Sequence, residues 1–79
     1  MTMTEVDREL DVCGYNCPIP LLRLKKELAQ MAAGEVLRVY ATDPGSKIDF
    51  LVYMDATGHQ MVQQEEDSDR FTFVIRKKS

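Results

Sequence analysis

Apolar and polar residues alternate along the first part of the chain. Val6, Leu10 and Val12 fall on one side, Asp7, Glu9 and Asp11 on the other, and Arg8 interrupts the apolar side. A period of two predicts a half-buried strand. The period changes after Cys17-Pro18-Ile19-Pro20. Leu21, Leu24, Leu28 and Met31 recur at helical spacing, while Arg23, Lys26, Glu27 and Gln30 face outward, which predicts a helix from Pro18 to about Ala32. Gly34 follows as a helix-stop signal. Val36 to Ala41 alternates again, with Leu37, Val39 and Ala41 set against Arg38 and Tyr40. Asp43-Pro44-Gly45 then opens a second helix, with Asp43 as its cap and Pro44 at its first position. Ile48, Leu51, Val52 and Asp55 are expected along one side of it, and Gly58 ends it. His59 to Glu66 and Arg70 to Lys77 form two closing strands, joined by an Asp67-Ser68-Asp69 hairpin turn. Phe71, Phe73 and Ile75 give the last strand its apolar face.

The order is β-α-β-α-β-β. A strand-helix-strand unit forms a right-handed crossover between parallel strands. The expected α/β architecture therefore has two helices on one face of a four-stranded mixed sheet. Glu9, Arg38, Thr72 and Arg76 make the opposite face partly polar. Residues 6–78 are expected to form one domain and residues 1–5 a flexible N-terminal tail. No internal repeat or low-complexity tract interrupts the chain.

Composition narrows the function. The 79 residues carry a formal net charge of -3. An acidic balance argues against direct nucleic-acid binding, which needs a basic surface. No apolar run is long enough to span a bilayer, and no basic-then-apolar leader is present, so a cytoplasmic location with reduced thiols is expected. Two cysteines and one histidine are too few for a closed four-ligand zinc site within one chain. No metal and no other cofactor is expected.

The chemistry concentrates at Cys17. A residue preceding proline is pushed into extended backbone, as an N-cap residue is. Pro18 suits the first helical position, and the missing N–H of Pro20 belongs to the same first turn. The N–H groups of Ile19, Leu21 and Leu22 then lie where some can point at the Cys17 side chain. Such a helix start stabilises a sulfur anion and draws a thiol pKa of ~8.5 toward ~7 or lower. On the motif alone, Cys17 reads equally as a nucleophilic thiolate or as an inert buried thiol beside a helix start. Gly14 gives the preceding Cys13–Asn16 loop access to positive φ. Cys17 follows the carboxyl end of the first strand and Asp43 that of the second, so the two can share one rim of the sheet, where sites of open α/β sheets gather.

Leu10-Asp11, Gly14 and Cys17-Pro18-Ile19-Pro20 resemble the signature of the TusA/SirA-like sulfur-carrier family. The likeness continues through Gly34-Glu35, Leu37 to Ala41, Asp43-Pro44, Ile48-Asp49, Gly58-His59 and Phe71 to Lys77. The resemblance implies a two-layer sandwich in which Cys17 accepts sulfane sulfur as a persulfide. It implies a cysteine desulfurase or a rhodanese as donor. A downstream sulfur-accepting protein would follow, serving tRNA thiolation, cofactor sulfuration or sulfur metabolism. Asn16 stands where the family often carries a basic residue, and Cys13 is not part of the core signature.

Each other candidate has its own reading. Cys13 is either a small filler at a strand end or a second thiol that resolves or protects Cys17. Asp11 reads as a loop-capping carboxylate and His59 as a lone surface imidazole. Arg23, Lys25 and Lys26 form a basic helix face. The methionines at 31, 54 and 61 read as core filler. Two other functions compete with the carrier: a dithiol redox protein using Cys13 and Cys17, and a noncatalytic interaction module.

Overall fold

A computed structural model describes residues 6–78. The tail expected at residues 1–5 lies outside the described residues. The elements run β1 (Arg8–Val12), α1 (Ile19–Ala29), β2 (Val36–Ala41), α2 (Gly45–Thr57), β3 (Gln60–Glu66) and β4 (Phe71–Arg76). The strands form one sheet in the order β1-β2-β4-β3. β1 pairs parallel with β2, and β4 is antiparallel to both of its neighbours. The element order and the mixed sheet are those predicted from the pattern. The apolar strands β2 and β4 occupy the centre. The polar β3 takes an edge, with a register irregularity between Met61 and Gln63, as suits an edge strand.

One face of the sheet carries the core. Val12, Leu37, Val39, Ala41, Phe73 and Ile75 meet Leu24, Leu28 and Met31 from the α1 side and Phe50 and Met54 from α2. Both helices therefore cover the same face. The Phe50 and Phe73 rings pack edge to face at 4.8 Å and 65°, a favoured aromatic geometry. On the opposite face Arg38 donates to Glu9 at 2.9 Å and the Tyr40 hydroxyl donates to the same carboxylate at 3.1 Å. The Arg70 guanidinium lies 4.0 Å from the Tyr40 ring centre. Met31 and Met54 are buried and Met61 is half-buried, in keeping with core filling. Among the described residues no helix is long and apolar enough to cross a membrane.

The expected side of α2 is corrected. Ile48, Leu51 and Val52 are 68%, 45% and 62% exposed, and the buried stripe is Ser46, Phe50 and Met54. This helix has apolar residues on two sides, so periodicity alone could not choose between them. The side taken by the sheet is the one whose Phe50 ring packs edge to face against Phe73 and is fully buried there. Arg8, which interrupts the apolar side in the sequence, does point that way. Its guanidinium donates to Glu27 at 2.8 Å and to the Gln30 carbonyl at 3.3 Å, so the charge is met at the sheet edge.

α1 ends at Ala29, three residues before the expected stop, with Gln30 as its C-cap. The Lys77 ammonium, arriving from the end of β4, donates to the carbonyls of Leu28 and Met31. A cation there satisfies carbonyls that the end of a helix leaves without intrahelical partners. Gly58 ends α2 at φ 87°, with its amide donating to the Met54 carbonyl at 2.8 Å. His59 is not a free surface imidazole. It is half-buried, and its Nδ1 accepts the Lys78 amide at 2.9 Å.

Candidate functional site

The loop between β1 and α1 is built by side chains that receive its amides. Asp11 Oδ1 accepts the Cys13 N–H at 2.9 Å, an aspartate turn that bends the chain as it leaves the sheet. Asp11 is thus the loop-capping carboxylate expected, and the bond holds its pKa below the usual carboxylate range. Gly14 adopts φ 86°, and its amide donates to Thr42 Oγ1 at 2.9 Å. The Cys17 amide donates to Asp43 Oδ2 at 2.9 Å, while Asp43 Oδ1 accepts the Gly45 N–H at 3.3 Å. The expected cap is corrected here: Pro44, and not Asp43, is the N-cap of α2, Gly45 is its first residue, and no side chain caps it, because the Asp43 carboxylate is taken by the Gly45 amide two residues on and by the Cys17 amide. The ends of β1 and β2 meet at one rim, as their order implied.

The Cys17 side chain is not where the sequence placed it. Pro18, and not Cys17, is the N-cap of α1, and no side chain caps that helix. The Cys17–Pro18 peptide bond is cis. The Ile19 N–H donates to the Asn16 carbonyl at 3.0 Å and the Leu22 N–H to the Pro18 carbonyl at 3.1 Å, so two of the three donors foreseen for the sulfur are taken by backbone. The exposed thiol instead donates to Asp49 Oδ2 at 3.1 Å. That hydrogen bond is the main cause of a Cys17 pKa above its ordinary value, with partial desolvation and the charges of Asp49 and Asp43 adding to it. The expected depressed pKa is therefore overturned. A full carboxylate charge in contact with the proton outweighs the fractional charge of a helix end.

Cys13 stands apart from this arrangement. Its half-buried thiol is raised in pKa first by desolvation and then by Asp11, with Arg70 opposing. The two free thiols are thus held by different carboxylates. Pro20 is buried and seats the first turn of α1, whereas Pro18 and Ile19 remain exposed. Arg23 of the basic helix face lies 4.8 Å over the Tyr15 ring and Lys25 lies 5.3 Å over Tyr53.

Asp49 and Thr42 are the functional neighbours that the sequence reading missed. Asp49 lies 32 residues from the thiol it touches. Its signals were its place in the Ile48-Asp49 pair of the family likeness and its position early in a helix whose start faces the same rim as Cys17.

Comparisons with known proteins agree with this architecture. The sequence model of the family described as Sulfurtransferase TusA matches residues 8–77. The chain is 47% identical over 75 residues to a protein named sulfur carrier protein TusA from Allochromatium vinosum, covering 95% of this chain and 99% of that one. It is 40% identical over 79 residues to a sulfur carrier protein TusA from Pseudomonas putida GB-1, covering 100% and 99%. A solved SirA-like protein from Desulfitobacterium hafniense superposes with a TM-score of 0.78 at 28% identity, over 91% of this chain and 99% of that one. The matched span takes in every strand and both helices, together with the turn that presents Cys17, and the chain belongs to the TusA family.

Proposed function

We propose that this protein carries sulfane sulfur as a persulfide on Cys17 and hands it to a partner protein. The observation that carries the reading is an exposed thiol on the sheet rim, its amide held by Asp43 and its Sγ by Asp49, in a chain whose relatives are named sulfur carriers. The donor is a cysteine desulfurase or a rhodanese carrying a persulfide. Cys17 sulfur attacks the outer sulfur of the donor, the donor S–S bond breaks, and the donor leaves as a thiolate. The Cys17 proton passes to the Asp49 carboxylate, which lies within the distance that proton transfer requires. It ends on the departing thiolate. In the second half an acceptor thiolate attacks the outer sulfur and Cys17 leaves. The oxidation level of the transferred sulfur is conserved throughout, and no metal or cofactor takes part in the steps. Pro18, Ile19, Pro20 and Gly14 shape the turn that presents the sulfur.

Incubation with a cysteine desulfurase and cysteine should add about 32 Da, one sulfur atom, to the intact protein. Cys17→Ser should abolish the gain and Cys13→Ser should retain it. A wild-type protein that never gains this mass, from a desulfurase or from a rhodanese supplied with thiosulfate, refutes the reading.

A further inference from the structure

The Cys17 sulfur faces carboxylates and no cation. Its thiol donates to Asp49 Oδ2 at 3.1 Å, and the amide of the same residue donates to Asp43 Oδ2 at 2.9 Å. Both negative charges act on the sulfur, and no positive charge offsets them among the described residues. The cations of the two helices are turned elsewhere. Lys47 pairs with Glu66 at 2.8 Å. Arg23 lies 4.8 Å over the Tyr15 ring and Lys25 lies 5.3 Å over Tyr53. Lys26 lines a groove with Leu10 on the β1 side of α1.

This setting suits the two states of a carrier unequally. The empty state holds a neutral thiol, which donates its hydrogen bond to Asp49. The loaded state holds a terminal persulfide, a stronger acid than a thiol and an anion near neutral pH. That anion has no proton to donate, and a carboxylate beside it is repulsive. The outer sulfur is bonded about 2.0 Å beyond Sγ, so it stays within about 5 Å of Asp49 Oδ2 unless the cysteine side chain turns away. Asp49 is half-buried and directly precedes the fully buried Phe50, so its backbone is fixed beside the thiol. We propose that Asp49 sets the direction of sulfur flow: it stabilises the empty carrier by accepting the thiol hydrogen bond and destabilises the loaded carrier by repelling the outer sulfur, so that sulfur is passed on and not stored. The assignment rests on the sulfur-carrier reading and gives a thermodynamic role to a residue that the reading uses only for proton transfer. A proton acceptor changes how fast sulfur exchange runs and leaves its equilibrium constant alone, so that constant isolates the effect of the charge.

Exchange with glutathione persulfide reads this role. The Cys17 thiol takes the outer sulfur of the persulfide anion. The donor S–S bond breaks, an S–S bond forms at Cys17, the thiol proton ends on the released glutathione and the negative charge on the carrier's outer sulfur. In a Cys13→Ser background, intact mass gives the loaded fraction at fixed ratios of glutathione persulfide to glutathione. Asp49→Asn and Asp49→Ser, checked for fold by circular dichroism, should raise the loading constant about fourfold to tenfold at about pH 7, the scale of one like charge about 5 Å away in a largely solvated site. Asp49→Glu keeps the charge and should stay within about twofold of the parent. The gap between Asp49→Asn and the parent should narrow toward about pH 5, as the persulfide takes up a proton. A loading constant unmoved by Asp49→Asn and Asp49→Ser overturns the inference and leaves the carrier reading standing. An equal shift in Asp49→Glu, or a gap that does not narrow, makes the residue structural and also overturns it. A parent protein that loads from neither glutathione persulfide nor a cysteine desulfurase with cysteine overturns the carrier reading itself.

Discussion

Replacing Phe50 by alanine tests the face that α2 turns to the sheet, and with it the placing of Asp49. Phe50 is 0% exposed and meets Phe73 edge to face at 4.8 Å. A buried Phe→Ala change costs about 3–5 kcal/mol through lost transfer energy and the cavity left behind. Alanine returns only about 0.5 kcal/mol as the better helix former, so the cavity decides the sign and a net loss near 3–4 kcal/mol is expected. A chain of this length has a total stability of roughly 4–12 kcal/mol. The substitution therefore removes a large share of it. The assay is urea unfolding followed by circular dichroism. With an m-value of about 1 kcal/mol/M, the low end for small proteins, the midpoint should fall by about 3 M. Ile48→Ala, on the stripe that periodicity favoured, should stay within about 0.5 kcal/mol because its side chain is largely in solvent. A Phe50→Ala loss under about 1 kcal/mol, or an Ile48→Ala loss of equal size, would refute this orientation of α2.

Three further outcomes follow from other contacts. In a Cys13→Ser background, the pH midpoint for iodoacetamide alkylation of Cys17 should lie above the ordinary thiol value, and Asp49→Asn should lower it and speed alkylation at pH 7. An unmoved midpoint would remove Asp49 as the cause of the raised pKa. Lys77→Met deletes the ammonium that meets the Leu28 and Met31 carbonyls and should cost about 1–2 kcal/mol in urea unfolding, whereas a neutral result would make that cap incidental. His59 has a folded pKa below its ordinary value, chiefly from desolvation. Its contribution to stability is therefore present above pH ~6.5 and is lost as pH falls through the lower folded value. Thermal unfolding between pH 7 and 5 should show that decline, and His59→Gln should flatten it.

The sequence by itself determined the order of elements and most of their limits. Alternation in Val36–Ala41 and helical spacing from Leu21 to Met31 are local periodicities, and the Gly and Pro positions bracket them. The reading that Cys17 and Asp43 share a rim also followed from connectivity, since both residues follow strands that a crossover makes parallel. Three matters needed the folded chain. Which stripe of α2 is buried depended on Phe73, more than twenty residues away in sequence, because the helix has apolar residues on two sides. What meets the last carbonyls of α1 is an ammonium delivered from the far end of β4. The state of the Cys17 thiol depended on Asp49 and Asp43, whose carboxylates come within reach only once α2 is laid beside the start of α1. Local pattern sets backbone conformation because its forces act within one turn or one pleat. A proton held between a sulfur and a carboxylate responds to whatever charge the packed helices bring near it, and no sequence spacing encodes that distance.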